Sequence, residues 1–321
     1  AFNTGTTLVT WTATDGAVNT DQCSFTVEVT DDEPPTVTAT SDVITTTSSD
    51  GTGDCTVEVT ITDAVFDDNC KSNLSWEMTG DVEDNGTGQV GTYTFPVGVT
   101  TITYTNTDGE NLQASDFMTV TVTDDEDPVL TYPGQLLTQC DIVDLPPYTD
   151  YAAFIAAGGS ATDNCSIDQS SFTHISDVTD NNSCPEIITR TYQISDVNGN
   201  TNTCEQIIRI DDTTEPTFTQ PADITIYKDA DCNYDADPSI TGDVTDESDN
   251  CDTSLDATYS DVVVAGSCEG EQVITRTWSL TDDCGNTTTH DQTITVEDNT
   301  PPTFTAPGDI TIYKDGDCNY D

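Results

Sequence analysis

The sequence predicts an all-β protein made of tandem repeats, and three observations lead to this prediction. Short runs in which Thr, Val and Ile alternate with other residues, such as DITIYK and HDQTITVED, are typical of half-buried strands. Turn-forming Gly, Asn and Asp residues separate these runs. Acidic segments followed by proline recur along the chain at nearly constant spacing, which is the signature of repeated structural units.

The repeat boundaries follow from the proline after each acidic segment. These prolines are Pro35, Pro128, Pro216 and Pro302, and they are 93, 88 and 86 residues apart. The first 20 residues after the last two boundaries are nearly identical. The chain is therefore expected to be a section of a longer array. The predicted units are the C-terminal part of one repeat at 1–34, complete repeats at 35–127, 128–215 and 216–301, and the N-terminal part of the next repeat at 302–321.

Each complete repeat is predicted to be an immunoglobulin-like β-sandwich, because its length allows about seven short strands. One segment departs from the strand pattern. In YTDYAAFIAAGG, the residues Tyr151, Phe154 and Ile155 have helical i, i+3, i+4 spacing. Asp150 is a candidate N-cap and Gly158 a candidate stop. We therefore predict one short inserted helix near 149–157.

Composition excludes several functions. The chain carries 60 Asp and Glu against 6 Lys and Arg, for a net charge of -54. Such a charge repels nucleic-acid phosphates and anionic lipid surfaces. Only two histidines are present, neither His174 nor His290 recurs between repeats, and no catalytic motif appears. We expect no nucleic-acid partner, no membrane insertion and no enzymatic activity.

The penultimate strand of each repeat carries an aromatic residue that is expected to fill the core. Two residues earlier, two of the four copies carry an arginine, Arg190 and Arg276, where the others carry an aliphatic residue. These arginines either bind a ligand or form an internal ion pair with a stacked aromatic ring, and the second interpretation is favoured. The equivalent aromatic residues are Trp11, Tyr104, Tyr192 and Trp278.

The twelve cysteines lack zinc-site spacing and indicate disulfides formed in an oxidising compartment. The first complete repeat holds only Cys55 and Cys70, so these two are predicted to pair, as are their equivalents in the later repeats. The remaining cysteines of each repeat then pair with each other, while Cys23 and Cys318 have partners outside the sequence. The predicted disulfides are Cys55–Cys70, Cys140–Cys165, Cys184–Cys204, Cys232–Cys251 and Cys268–Cys284.

Oxygen ligands cluster at every repeat boundary, where they could hold a hard cation such as Ca²⁺ between two domains. Two internal loops, DADCNYD and DVNGN, alternate in the same way but lack the final glutamate of an EF-hand. The alternative is that these segments are solvated acidic turns. The candidate ligands of structural Ca²⁺ are Asp31, Asp32, Glu33, Asp124, Asp125, Glu126, Asp127, Asp211, Asp212, Glu215, Glu297, Asp298, Asn299, Asp229, Asp231, Asn233, Asp235, Asp196, Asn198 and Asn200.

GTTLVTWTATDGAVNTDQCSFTVEVTDDEPPTV (5–37), FPVGVTTITYTNTDG (95–109) and three Asp-Asn-Cys motifs resemble the hyalin repeat, or HYR domain. This resemblance implies an immunoglobulin-like fold and a role in extracellular adhesion, with no catalytic residues. Acidic, Thr-rich arrays of this kind are similar to giant surface adhesins of Bacteroidota, including the SprB-type gliding-motility adhesins. That similarity implies a filament at the cell surface, and EDNTPPTF (297–304) is similar to the calcium-binding linker of cadherins.

The favoured function is a structural stalk or filament segment of an extracellular adhesin, which gives reach and stiffness for attachment or gliding. Its immediate partners are neighbouring repeats of the same chain. One alternative is that the repeats bind a polysaccharide or a protein partner directly. Another is that they are spacers of a secreted enzyme whose catalytic domain lies outside this sequence.

Overall fold

The computed structural model describes residues 1–266, 270–314 and 316. Strands make up 49% of the described residues and helices 5%, which confirms the all-β class. The chain forms two compact units. The limits of these units do not coincide with the predicted repeat boundaries, which stay a prediction. The first unit comprises Ala1–Gly134, Pro147–Asp177 and Arg190–Gln206, and the second Gln135–Pro146, Val178–Thr189 and Ile207–Asp321.

The first two strands, β1 (Gly5–Thr14) and β2 (Thr20–Val29), form a separate antiparallel pair. Trp11 lies on this hairpin and is 65% exposed. The predicted core position of Trp11 is therefore wrong for this structure. The hairpin forms a two-stranded sheet by itself and contributes no residue to the hydrophobic clusters found among the described residues.

Residues 36–123 contain a sandwich built around a five-stranded sheet of order β4-β11-β10-β7-β8. Two strand pairs, β3 with β6 and β5 with β9, accompany it. Alternation along β10 buries Ile102 and Tyr104, as the sequence pattern predicts. The strands are β3 (Thr36–Thr38), β4 (Val43–Thr46), β5 (Thr56–Thr60), β6 (Val65–Asp67), β7 (Ser72–Gly80), β8 (Asp84–Thr87), β9 (Thr92–Pro96), β10 (Gly98–Asp108) and β11 (Gln113–Thr123), with a 3₁₀ turn at Thr47–Asp50.

Residues 129–210 contain the sheet β13-β17-β16-β15 and the pair β12-β14. The predicted helix is confirmed as α1 (Tyr151–Ala156). Asp150 caps it by accepting a hydrogen bond from the Ala153 backbone N–H at 2.8 Å. Phe154 is fully buried against the rings of Phe172 and Tyr192. The strands are β12 (Val129–Thr131), β13 (Leu136–Thr138), β14 (Ser160–Thr162), β15 (Ile167–Thr179), β16 (Glu186–Asp196) and β17 (Thr201–Ile210), with a 3₁₀ turn at Ile142–Asp144.

Residues 224–297, in the second unit, contain the sheet β18-β21-β20-β19. Trp278 on β20 is fully buried and donates a hydrogen bond from Nε1 to Gln292 Oε1 at 3.2 Å. No helix among the described residues of the chain is both long and apolar enough to cross a membrane. The elements are β18 (Ile224–Tyr227), α2 (Pro238–Thr241), β19 (Thr258–Ala265), β20 (Gln272–Thr281) and β21 (Thr287–Glu297).

The two strand-interior arginines are each 1% exposed. Arg190 donates from Nε and Nη2 to the two oxygens of Asp177, both at 2.8 Å. Arg276 pairs in the same way with Asp261, and its guanidinium lies 4.1 Å from the centre of the Tyr259 ring. Such bidentate pairing satisfies charges that would be costly to bury alone.

The disulfides differ from the predicted ones. Cys55 bonds to Cys165, with Cα atoms 4.5 Å apart, and Cys140 bonds to Cys251, with Cα atoms 5.0 Å apart. The third bond joins Cys184 and Cys284. Four predicted pairs are therefore wrong: Cys55–Cys70, Cys140–Cys165, Cys184–Cys204 and Cys232–Cys251. The fifth, Cys268–Cys284, is excluded because Cys284 is already bonded to Cys184. Cys268 and Cys318 lie outside the described residues.

Strand direction explains the difference. β4 runs parallel to β11, the last strand of its sandwich, so Cys55 follows at the end where the sandwich leads into the next one. β6 pairs with β3 at the opposite end, where Thr36 lies opposite Asp67, and Cys70 follows there. The two cysteines predicted to pair thus lie at opposite ends of one predicted repeat. Each of the first two bonds instead joins one predicted repeat to the next.

Candidate metal centres

Three aspartates from separate parts of the sequence meet at the start of predicted repeat 35–127. Asp31 follows β2, Asp68 follows β6 and Asp108 ends β10. One carboxylate oxygen from each lies within 4.8 Å of the other two. Pairing of β6 with β3 brings the Asp68 turn close to the acidic segment that precedes β3.

Two oxygens of this first cluster are buried without a hydrogen-bond partner. Asp108 is 4% exposed, and its Oδ1 accepts from the backbone N–H groups of Glu110 and Leu112 at 2.9 and 2.8 Å, whereas Oδ2 has no partner. Asp68 Oδ2 accepts from the Cys70 N–H at 3.2 Å, whereas Oδ1 has no partner. Buried polar atoms in proteins are normally paired, so these two require an explanation.

The Cys70 thiol belongs to the same surroundings. It donates a hydrogen bond to the Asp31 carboxylate, which lowers the pKa of Asp31 and raises the pKa of Cys70 to about 11. The thiol is therefore protonated at neutral pH. A cavity of about 620 Å³ lies beside it and is lined by both residues together with Phe2, Lys71 and others.

A second cluster, also in the first unit, contains Asp124 and Asp163 beside the sulfur of Cys165. Asp163 Oδ2 accepts from the Cys165 N–H at 2.8 Å, and Oδ1 is buried without a partner. Burial raises the pKa of Asp163, and the negative charges of Asp196 and Asp124 raise it further. The arrangement favours a positive charge near these oxygens.

Side-chain amides converge on Asp124. Asn198 donates to its Oδ2 at 2.8 Å, and Asn164 donates to its Oδ1 at 3.3 Å and to Glu126 at 2.7 Å. Burial acts to raise the pKa of Asp124, but these hydrogen bonds outweigh it, and the pKa is lowered. The hydroxyl of Thr47 also donates to Asp124 Oδ1, at 3.1 Å. Asn164 Oδ1 is buried without a partner, so it remains a free ligand oxygen.

A third cluster, in the second unit, contains Asp212 and Asp249 beside the sulfur of Cys251. Asp212 is 5% exposed, and its Oδ1 accepts from the Thr214 N–H at 3.0 Å and from Asn250 at 3.2 Å. Asp249 Oδ2 accepts from the Cys251 N–H at 2.8 Å, and Asp249 Oδ1 is buried without a partner.

The clusters reuse the same sequence positions. In each, one aspartate belongs to the acidic boundary segment and one to an Asp-Asn-Cys motif. The third member is Asp108, from the turn after the penultimate strand, in the first cluster and the motif cysteine in the other two. The unpaired atoms named above are all oxygens, and the cysteines of the second and third clusters are in disulfides. This donor chemistry fits a hard cation such as Ca²⁺ and does not fit a soft metal. The equivalent positions are Asp31, Asp124 and Asp212; Asp68, Asp163 and Asp249; and Asp108, Asp196 and Asp282.

The structure brings together only some of the predicted ligands. Asp31, Asp124 and Asp212 lie in the clusters, and Asn198 and Asn200 hydrogen-bond to Asp124. The rest lie outside the three clusters of the described residues, and their role as ligands stays a prediction. These residues are Asp32, Glu33, Asp125, Glu126, Asp127, Asp196, Asp211, Glu215, Glu297, Asp298, Asn299, Asp229, Asp231, Asn233 and Asp235.

Several of these outlying carboxylates have structural partners. Asp125 accepts from the hydroxyl of Ser48 at 2.9 Å, and Asp211 pairs with Arg209 at 2.6 Å. Asp229 Oδ1 accepts from the backbone N–H of Asn233 at 2.8 Å, which is a turn interaction.

Sequence reasoning missed Asp68, Asp108, Asp163 and Asp249 as candidate ligands. The sequence signal for three of them is the aspartate of the Asp-Asn-Cys motif, because this motif recurs in every complete repeat.

No protein-family model matches the chain. The chain is 37% identical over 144 residues to hyalin of Strongylocentrotus purpuratus, a match that covers 43% of this chain and 11% of hyalin. The chain thus spans about a tenth of the length of this curated relative.

Solved structures that are similar include protocadherin gamma B2 extracellular cadherin domains 1–5, at 12% identity and a TM-score of 0.35 over 93% of this chain and 66% of that one. Mouse cadherin-23 EC22–24 matches at 15% identity and a TM-score of 0.32, over 83% of this chain and 100% of that one. Drosophila N-cadherin EC1–3 matches at 17% identity and a TM-score of 0.30, over 81% of this chain and 99% of that one. At these scores the likeness supports no inference about function.

Proposed function

We propose that the chain is a structural stalk segment of an extracellular repeat adhesin, in which covalent links between repeats resist bending and stretching. The observation that carries this proposal is that Cys55–Cys165 and Cys140–Cys251 each join consecutive predicted repeats. A junction with one covalent connection acts as a hinge, whereas a junction with two restricts rotation. These two disulfides are called the staples below.

Hydrogen bonds support the first staple. The loop between β4 and Cys55 donates from Thr47 to Asp124 at 3.1 Å and from Ser48 to Asp125 at 2.9 Å. Asn164, next to the bonded Cys165, donates to Thr47 at 3.4 Å. The loop of one predicted repeat thus contacts both the boundary segment and the following repeat.

An extracellular, cell-surface location suits this chemistry, because disulfides form and persist in oxidising compartments. The similarity to hyalin and the sequence resemblance to HYR domains support a role in adhesion. The finer proposal is a surface filament of the kind used in bacterial gliding, supported only by the resemblance to SprB-type adhesins. Structural Ca²⁺ at the boundaries, supported by the carboxylate clusters, is proposed to stiffen the same junctions.

Scattering in solution tests the stalk. The oxidised chain is compared with the double variant Cys55→Ser, Cys165→Ser, which removes the one described disulfide between predicted repeats 35–127 and 128–215 and leaves no new thiol. The variant is expected to fit a broader ensemble of shapes with the same secondary structure by circular dichroism. Equal ensembles for the two proteins would show that the staple does not limit bending, and the proposal would be wrong.

A further inference from the structure

We infer that Asp31, Asp68 and Asp108 form a calcium-binding site at the start of predicted repeat 35–127. The inference deepens the calcium part of the proposed function, since it names the ligands. It does not depend on whether the chain is a stalk.

The spacing of the oxygens fits a single ion. Calcium binds oxygen ligands at 2.3–2.6 Å, so two ligands on opposite sides of one ion are about 5 Å apart. The three carboxylates each offer an oxygen within 4.8 Å of the other two, and all three therefore reach one ion. Three negative charges so close together repel one another unless a cation lies among them.

The unpaired oxygens supply a second, independent argument. Asp108 is 4% exposed, yet its Oδ2 has neither water access nor a hydrogen-bond partner, and Asp68 Oδ1 is in the same condition. A buried acceptor without a partner destabilises the fold, and a bound cation removes that cost. Equivalent oxygens of Asp163 and Asp249 are also buried and unpaired.

The donor set selects among cations. Three carboxylates without imidazole or thiolate favour a hard cation over zinc or copper. Magnesium requires a near-ideal octahedron and keeps most of its water, whereas calcium accepts several carboxylates in a flexible geometry. The cluster of Asp31, Asp68 and Asp108 is of the second kind.

In the other two clusters the Asp-Asn-Cys motif has a double role, whereas Cys70 at this site is a free thiol. In the second and third clusters the motif cysteine forms a staple, and its N–H donates to the motif aspartate, Asp163 or Asp249, at 2.8 Å. The first cluster repeats this backbone hydrogen bond, from Cys70 to Asp68. One tripeptide therefore positions a metal ligand and a disulfide within three residues.

The test uses the oxidised full chain and the variant Asp108→Asn. The amide retains Oδ1, which accepts from Glu110 and Leu112, and replaces only the unpaired Oδ2. By titration calorimetry with CaCl₂ the variant is expected to bind one ion fewer than the unchanged chain. An unchanged number of bound ions would overturn the inference, as would equal binding of Mg²⁺.

Thermal melting separates a metal ligand from a structural residue. In EDTA, Asp108→Asn should melt at the same temperature as the unchanged chain or higher, because one repelling charge is gone; in Ca²⁺ it should melt lower. A lower melting temperature in both solutions would mean that Asp108 has only a structural role.

The matched control is Asp15→Asn. Asp15 occupies the same turn position in the β1–β2 hairpin, and its Oδ1 accepts from the N–H groups of Ala17 and Asn19, both at 2.9 Å, but the residue is exposed and outside the clusters. It should leave the number of bound ions unchanged. Loss of an ion from this variant would show that turn carboxylates in general bind calcium, contrary to the inference. The stalk is tested by shape alone, so either idea can fail without the other.

Discussion

The disulfides determine how far the chain can be stretched after all of its sheets have unfolded. Through the disulfides of the described residues, the shortest covalent route runs from the first residue to Cys55 and crosses to Cys165. It continues to Cys184, crosses to Cys284 and ends at residue 321. That route contains about 110 residues of the 321. At about 3.5 Å per extended residue, the oxidised chain should reach about 400 Å and the fully reduced chain about 1,100 Å.

The three disulfides of the described residues contribute unequally to this limit. Replacing Cys55 and Cys165 with serine diverts the route through Cys140–Cys251, which adds about 100 residues, or about 350 Å. Replacing Cys140 and Cys251 should add nothing, because the shortest route does not use that bond. The second double variant is therefore a matched control for the first.

Single-molecule force spectroscopy with handles at both ends measures these lengths directly. The oxidised chain and the Cys140→Ser, Cys251→Ser variant are expected to reach the same final contour length. The Cys55→Ser, Cys165→Ser variant is expected to reach a longer one. Extension of the first variant beyond the oxidised chain would refute the assigned pairing. So would an oxidised chain that reaches its full reduced length.

Three further outcomes are expected. Under native, non-reducing conditions a maleimide should modify Cys70, which is exposed, much faster than Cys204, which is 8% exposed. Labelling of both at similar rates, measured by peptide mass spectrometry, would contradict the structure. The hydrogen bond from Arg190 lowers the pKa of Asp177, so the stability that this pair contributes should be present above about pH 4 and be lost as the pH falls through the lowered pKa. The melting temperatures of Asp177→Asn and of the unchanged chain should therefore converge in acid. A difference that stays constant with pH would argue against the ion pair. Phe154→Ala should lower the free energy of unfolding, measured by urea denaturation, by about 3–5 kcal/mol, because it leaves a cavity at a fully buried position. A loss below about 1 kcal/mol would mean that the helix is not part of the core.

The sequence predicted the fold well wherever a local pattern was sufficient. Alternation in β10 and the spacing of Tyr151, Phe154 and Ile155 are local signals, and they predicted a strand and a helix that the structure contains. Trp11 has the same local pattern as Tyr104, but burial also requires a facing sheet. Burial therefore could not be predicted from the strand alone.

The disulfides and ligands depended on information that no local pattern holds. Cys55 and Cys70 are close in sequence, and only the parallel pairing of β4 with β11 reveals that they lie at opposite ends of a sandwich. Likewise Asp68 and Asp108 resemble ordinary turn residues until the fold brings them to Asp31. Because acidic residues occur throughout the sequence, their presence alone does not distinguish metal ligands from residues of solvated turns.

The staples also impose an order on biosynthesis. Cys55 must remain unpaired until Cys165 has been made, 110 residues later, and Cys140 must wait for Cys251, 111 residues later. At 5–20 residues per second this delay is roughly 5–20 s, during which Cys70 is the nearest competing thiol. A repeat is thus covalently finished only when the next one has emerged and folded, so maturation of such an array proceeds from its N-terminal end, with each new repeat completing the one before it.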